Sequence, residues 1–159
     1  MPNNGHRNEP RNVAYSRENE KYYSTKQPES YLRTDSSTIF AGAMQVDLFL
    51  MCIGLARYYG QKPKELKSRV MNIPTNALGE PGKWLILGLG MVDTGDLSCL
   101  NDENPLYLSA EQYAEAGFPI LQSLLQEHGS GFPGFLESTL KKIVENRKEK
   151  KLLITDQQE

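Results

Sequence analysis

The chain is short of reactive side chains. Its 159 residues include two cysteines, two histidines and one tryptophan. Cys52 and Cys99 stand far apart in apolar surroundings, the setting of buried free thiols in a reducing cytoplasm rather than of a disulfide. His128 has no serine, cysteine or carboxylate placed by sequence to work with it, so its expected role is to cap exposed helix carbonyls. Gly88 and Gly90 do not make a dinucleotide loop: a third glycine is missing at the required place, and Asp93 would meet the phosphates. Asp93-Thr94-Gly95 occurs once, without the second copy and the strand-and-flap pattern that a carboxylate dyad of the aspartic-protease type needs. Long hydrophobic runs are also lacking. The longest, Leu48 to Ala56, falls well short of the roughly 18 residues of a membrane span, so no membrane is expected as a partner. The first twelve residues, rich in Asn, Arg and Pro, contain no apolar core of a signal peptide, and the expected location is the cytoplasm.

What is there is a charge division hidden by a net charge of -2. Residues 1–34 carry +2 (Arg7, Arg11, Arg17, Lys21, Lys26 and Arg33 against Glu9, Glu18, Glu20 and Glu29), and residues 141–151 carry +4, leaving -8 on the rest. An acidic body with basic ends can touch nucleic acid through those ends, or pair with itself or a partner. With a hydrophobic fraction of 38%, the pattern is that of polar tails diluting an ordinary core. The expected organisation is a flexible, Tyr- and Arg-containing arm over 1–38, a helical domain over 39–151 and a C-terminal tail over 152–159. Tyr15, Tyr22, Tyr23 and Tyr31 interrupt the polar arm. Aromatics among basic groups can stack on bases, dock into a partner's groove or anchor the arm across its own domain, and docking on a partner or on the chain itself is favoured over bases.

Val46 to Tyr59 is apolar on nearly every side and reads as a helix that other elements cover. Asp47 near its start and Arg57 near its end oppose the macrodipole, Gly60 stops it, and Pro63 prevents resumption. Residues 70–82 hold Pro74, Gly79, Pro81 and Gly82 and read as irregular connection. Trp84 to Val92 suits either a buried strand or a short buried helix; the polar Asp-Thr-Gly that follows favours helix. Its two glycines cost helix stability, about 1 kcal/mol each, which makes sense where another backbone approaches closely. Ser109-Ala-Glu-Gln112 fits a capping box, with Leu108 and Tyr113 as its staple, opening an amphipathic helix that Pro119 kinks or splits. Pro133 suits the first turn of a last helix whose stripe is Phe135, Leu136, Leu140, Ile143 and Val144; Leu152 to Thr155 extends it or forms a strand or docking motif. The fold class expected is mainly α, a small single-domain bundle of about four to five helices with flexible N- and C-terminal tails.

Two clusters are candidates for function. Arg57, Lys62, Lys64, Lys67 and Arg69 form the densest basic group on the acidic body: a solvated loop, or a nucleic-acid or partner contact whose affinity depends on salt. Asp93, Asp96, Asp102 and Glu103 form the most acidic run, which does not match a calcium loop; a helix stop and turn is the favoured reading, so no metal and no cofactor are expected.

Three stretches in order carry a resemblance: Gly54-Leu-Ala-Arg-Tyr-Tyr-Gly60, Asp93-Thr94-Gly95-Asp96-Leu-Ser-Cys-Leu100, and Glu111-Gln-Tyr113-Ala-Glu-Ala-Gly117-Phe-Pro-Ile-Leu121. Over about residues 40–126 the chain resembles the small DNA phosphorothioation-associated (dnd system-associated) protein 4 family. It departs from that pattern at Glu115 and at Pro119. The resemblance implies a role in prokaryotic anti-phage, restriction-modification-like defence and no known catalytic residue. The functional expectation is a non-enzymatic accessory protein that packs on a larger subunit of a defence complex, with a possible DNA contact and a homo-oligomer as a further option. Two alternatives stand beside it: a freestanding helical nucleic-acid-binding regulator, and a metal-dependent hydrolase using the Asp93–Glu103 acids.

Overall fold

The computed structural model describes residues 9–155, with side chains through residue 148. The fold is mainly α. Its elements in order are β1 (Asn12–Ser16), a single helical turn α1 (Glu20–Tyr23), α2 (Gln45–Tyr58), β2 (Arg69–Pro74), α3 (Gly79–Thr94), α4 (Asn104–His128) and α5 (Phe132–Thr155). No helix among the described residues is long and apolar enough to cross a membrane.

The Val46–Tyr59 run forms α2, and the structure explains its limits. At its start the Asp47 carboxylate accepts the Met44 N–H at 2.8 Å, satisfying a donor that the helix leaves orphaned and placing negative charge at its positive end. At its end Gly60 turns left-handed at φ 65°. The Gln61 N–H then reaches back to the Ala56 carbonyl at 2.8 Å and the Gly60 N–H to that of Arg57 at 3.2 Å, the paired bonds of a Schellman stop. Val46, Leu48, Phe49, Cys52, Ile53, Leu55 and Ala56 are all buried, each large apolar side chain contributing about 1.5–3 kcal/mol relative to exposure.

α4 crosses α2 at van der Waals distance because position 117 is glycine. A Cβ there would overlap the Cys52 carbonyl oxygen and lie 2.7 Å from its carbon and 3.1 Å from the Ala56 nitrogen. Around this crossing sit the fully buried Phe49, Phe118 and Leu121. Trp84–Val92 is helical, as expected, within α3. The close approach anticipated for its glycines holds at one of them, and against a side chain: a Cβ on Gly90 would overlap Leu106, while Gly88 faces open space.

Four expectations are corrected. The arm is one. From residue 12 it is laid on the helices: β1 pairs antiparallel with β2, Val13 opposite Ile73 and Tyr15 opposite Val70, with an irregularity between Val13 and Ala14. Tyr15 and Tyr23 stack at 4.3 Å, and Tyr22, Tyr23 and Tyr31 surround the Phe118 ring of α4. The tyrosines are anchors to the chain's own domain. Residues 1–8 lie outside the described residues. The second correction follows from the first: the stretch 70–82 is not all irregular, because Arg69–Pro74 supplies β2, with Pro74 at its end where a missing N–H does least harm, and α3 already begins at Gly79. Third, α4 begins at Asn104 rather than Ser109. Pro105 occupies its first turn and the Asp102 carboxylate accepts the Asn104 N–H at 3.2 Å, so the start signal lay five residues upstream. Pro119 sits inside this continuous helix without dividing it. Fourth, His128 does not cap carbonyls; its ring stacks on Phe135 at 4.3 Å. Downstream, α5 runs unbroken to Thr155, so Leu152 to Thr155 extends it, and residues 156–159 lie outside the described residues.

Candidate interaction surface

The candidate basic residues are distributed by the fold into paired and unpaired groups. Arg57, on the last turn of α2, donates to Asp93 Oδ1 at 2.9 Å and to the Tyr113 hydroxyl at 2.8 Å, and that hydroxyl donates to Asp93 Oδ2 at 2.9 Å. The guanidinium also lies over the Tyr113 ring, 5.1 Å from its centroid. One residue from each of the three motif stretches therefore meets in a closed knot that ties α2, α3 and α4 together. Burial, and then the Asp93 carboxylate, push the Tyr113 hydroxyl up, so it stays a proton donor in the knot.

Two buried carboxylates of α4 take two more of the cations. Glu111, 2% exposed, accepts the Arg69 guanidinium at 2.7 to 3.0 Å and the Ala14 N–H at 2.9 Å. It thus clamps both strands of the ribbon onto α4. Burial pushes its carboxyl up, against the lowering effect of the Ala14 N–H and Arg69. One turn on, Glu115 accepts Lys64 Nζ at 3.2 Å and Asn19 Nδ2 at 3.0 Å, and the Lys64 N–H donates to the Gln112 carbonyl at 3.0 Å. Sequence reasoning missed both acids as organising groups. The available signal was two carboxylates four residues apart inside an apolar helical stripe, which places them on one face. Lys62 and Lys67 are exposed and form no ion pair among the described residues. The five-residue basic patch is therefore three braces and two charges with no ion pair among the described residues.

The remaining motif positions build the α3 stop. Thr94 Oγ1 donates to the Gly90 carbonyl at 2.9 Å, Gly95 adopts φ 68° with its N–H on Met91 O at 2.9 Å, and Asp96 accepts the Ser98 N–H at 2.9 Å. The acids of the run do not converge: Asp93 faces Arg57, Asp96 faces Ser98, and Asp102 faces Asn104. No group of three or more His, Cys, Asp or Glu that could hold a metal occurs among the described residues. Cys52 is buried against Tyr23, and burial pushes its thiol up to about 12 even though the Tyr23 hydroxyl bond acts to lower it, so it stays a protonated, inert thiol.

Unsatisfied surface lies elsewhere, and it is apolar. On α3, Trp84, Leu85 and Val92 are exposed around the open Gly88. α5 buries only its first turns: Phe132 is fully buried, Phe135 and Leu136 are half-buried, and Leu140 is 61% exposed. Between α5 and α2 runs an apolar groove of about 170 Å³, with Met51, Gly54, Leu55, Tyr58 and Tyr59 on one wall and Phe135, Leu136, Thr139, Leu140 and Ile143 on the other. No family model, no curated protein and no solved structure matches this chain.

Proposed function

We propose that this protein works by docking, as a non-enzymatic accessory subunit on a larger protein. The carrying observation is the exposure of large apolar side chains on three helices, Tyr58 and Tyr59 at the end of α2, Trp84, Leu85 and Val92 on α3, and Leu140 and Val144 on α5. A monomer that exposes apolar surface in contiguous patches keeps it for a partner. The titratable groups support the same reading, since Asp93, Glu111 and Glu115 each hold a cation and serve as braces between elements. The resemblance of the three motif stretches to the phosphorothioation-associated family supports a partner within a prokaryotic DNA-targeting defence complex. DNA contact then falls to Lys62 and Lys67, the two cations of the loop that make no ion pair among the described residues.

The test is purification of the full tagged chain from its native source at physiological salt. A larger subunit with nuclease, ATPase or sulfur-modification activity should co-purify in fixed stoichiometry; recovery of the chain alone overturns the proposal. The rival reading, a freestanding nucleic-acid-binding regulator, requires the isolated chain to bind duplex or single strands with steep salt dependence. It also requires Lys62→Ala with Lys67→Ala to weaken that binding on every sequence.

A further inference from the structure

The groove between α2 and α5 carries enough detail to describe its occupant. We propose that it seats an acidic amphipathic helix of the partner protein, an inference that rests on the docking role proposed above.

Shape comes first. Glycine in the interior of a helix costs about 1 kcal/mol relative to alanine, and the chain accepts that cost at Gly117 of α4, against α2, and at Gly54 within α2, with different outcomes. Gly117 is required by the backbone of α2 itself, whereas above Gly54 there is nothing within 4 Å. The opening lies on the groove wall, where an incoming helix can bring its backbone close.

Charge defines the occupant further. By helical spacing the groove side of α5 consists of two rows, Phe135–Thr139–Lys142–Asn146 and Leu136–Leu140–Ile143–Arg147. Each begins apolar and ends beyond the groove in polar or basic residues, and neither contains an acid through residue 148. The described acids of α5, Glu137 and Glu145, fall on its other side, where Glu137 holds Lys141 at 2.7 Å. Lys142 and Arg147 are exposed and make no ion pair among the described residues. A complementary helix presents apolar residues at i, i+3 or i+4 and i+7 to the groove, and Asp or Glu to Lys142 and Arg147. A second copy pairing α5 with α5 in parallel would instead bring the basic ends of these rows together.

The experiment places a photo-reactive phenylalanine analogue at Leu140 of the full chain in its native source, with the same analogue at Ser138 on the other side of α5 as control. The expected adduct from position 140, absent from 138, is a partner segment with apolar residues three and four apart and a net negative charge. In parallel, Lys142→Glu with Arg147→Glu should weaken retention of the partner about tenfold at low salt, with the difference shrinking at high salt. Both positions are exposed, so thermal unfolding of the variant should match that of the parent. Cross-links to a second copy, to nucleic acid, or to a neutral or basic segment overturn the proposal, as does no cross-link while the partner still co-purifies. Those results leave the docking role standing; failure of the unsubstituted chain to retain any partner removes the docking role as well.

Discussion

The two sides of α2 are built from similar residues and are finished differently. Toward α4 the helix is closed: Gly117 admits backbone contact, Phe49 and Phe118 fill the seam, and Arg57, Tyr113 and Asp93 lock its end. Toward α5 it is open: Gly54 looks into space, Tyr58 and Tyr59 are exposed, and burial fades along α5 after its first turns. Glycine in a helix therefore has two meanings in one molecule. On the closed side it answers a contact within the chain; on the open side the chain supplies none, and the physical case for the residue passes to something outside it.

The closed side should break first and hardest. Gly117→Ala places a methyl group on the Cys52 carbonyl, and since both groups belong to regular helices neither can turn aside. The helices must separate, which costs about 3 kcal/mol or more given the usual scale of overpacking. Urea unfolding should show a large drop in midpoint. A variant as stable as the parent would mean that α2 and α4 do not cross in this way.

The next effect concerns the buried Glu111. Arg69→Met leaves the carboxylate with the Ala14 N–H alone and should cost about 2 to 3 kcal/mol at neutral pH. The loss is pH-dependent. Burial already holds the Glu111 carboxyl above its ordinary 4.5, and removing the guanidinium raises it further. A carboxyl raised by folding binds more protons in the native state, so its stability contribution is present below the unfolded value and is lost as pH rises through the folded value. Unfolding measured across this window should show the variant approaching the parent on the acid side and diverging from it toward neutrality. A pH-independent difference would rule out Glu111 as the group responsible.

Much of the closed side was legible in the sequence. The apolar density of Val46–Tyr59, its Asp47 and Gly60 ends and the helical character of Trp84–Val92 are local properties, and local properties survive into the fold. What was not legible is non-local. β1 and β2 are five and six residues long and pair Tyr15 with Val70, and all of Val13 to Ser16 is buried, so no alternation of period two betrays the strand. Anchoring by the tyrosines is among the readings the sequence admits, but the same distance hid the shared target of Tyr22, Tyr23 and Tyr31, Phe118, which lies far along the chain. Ser109 misled for a local reason: its capping-box pattern was genuine, but Pro105 and Asp102 offered an earlier start and the apolar stripe allowed it. At the candidate surface, the basic residues were visible as a cluster, but their division into braces and charges with no ion pair among the described residues depends on Glu111 and Glu115 of α4.

A smaller effect is expected from the knot that closes α2. Tyr113→Phe removes one hydroxyl that donates to Asp93 and accepts from Arg57. It leaves the direct Arg57–Asp93 pair at 2.9 Å and the ring beneath the guanidinium. The loss should therefore be about 1 kcal/mol, read as a modest fall in the thermal midpoint. Asp93→Asn, which removes the charge as well, should cost no less. If Tyr113→Phe proves as damaging as Gly117→Ala, the knot carries more of the fold than its half-exposed arginine suggests.

The smallest effect is the most discriminating, because its sign is opposite to the first. Gly54→Ala adds the same methyl group to a helix interior where nothing lies within 4 Å. It should remove backbone freedom from the unfolded chain and stabilise the isolated protein by about 0.5 to 1 kcal/mol. A small rise in the unfolding midpoint, set beside the collapse at Gly117, would establish that the two glycines serve different masters. A fall instead would mean that α5 or another segment already closes over α2 in solution, and the groove would then be part of the core. Stabilisation without consequence for partner retention would place the docking helix further along α5, beyond reach of the α2 wall. Stabilisation accompanied by weaker retention would mark residue 54 as a position where the chain gives up its own stability to leave room for another backbone.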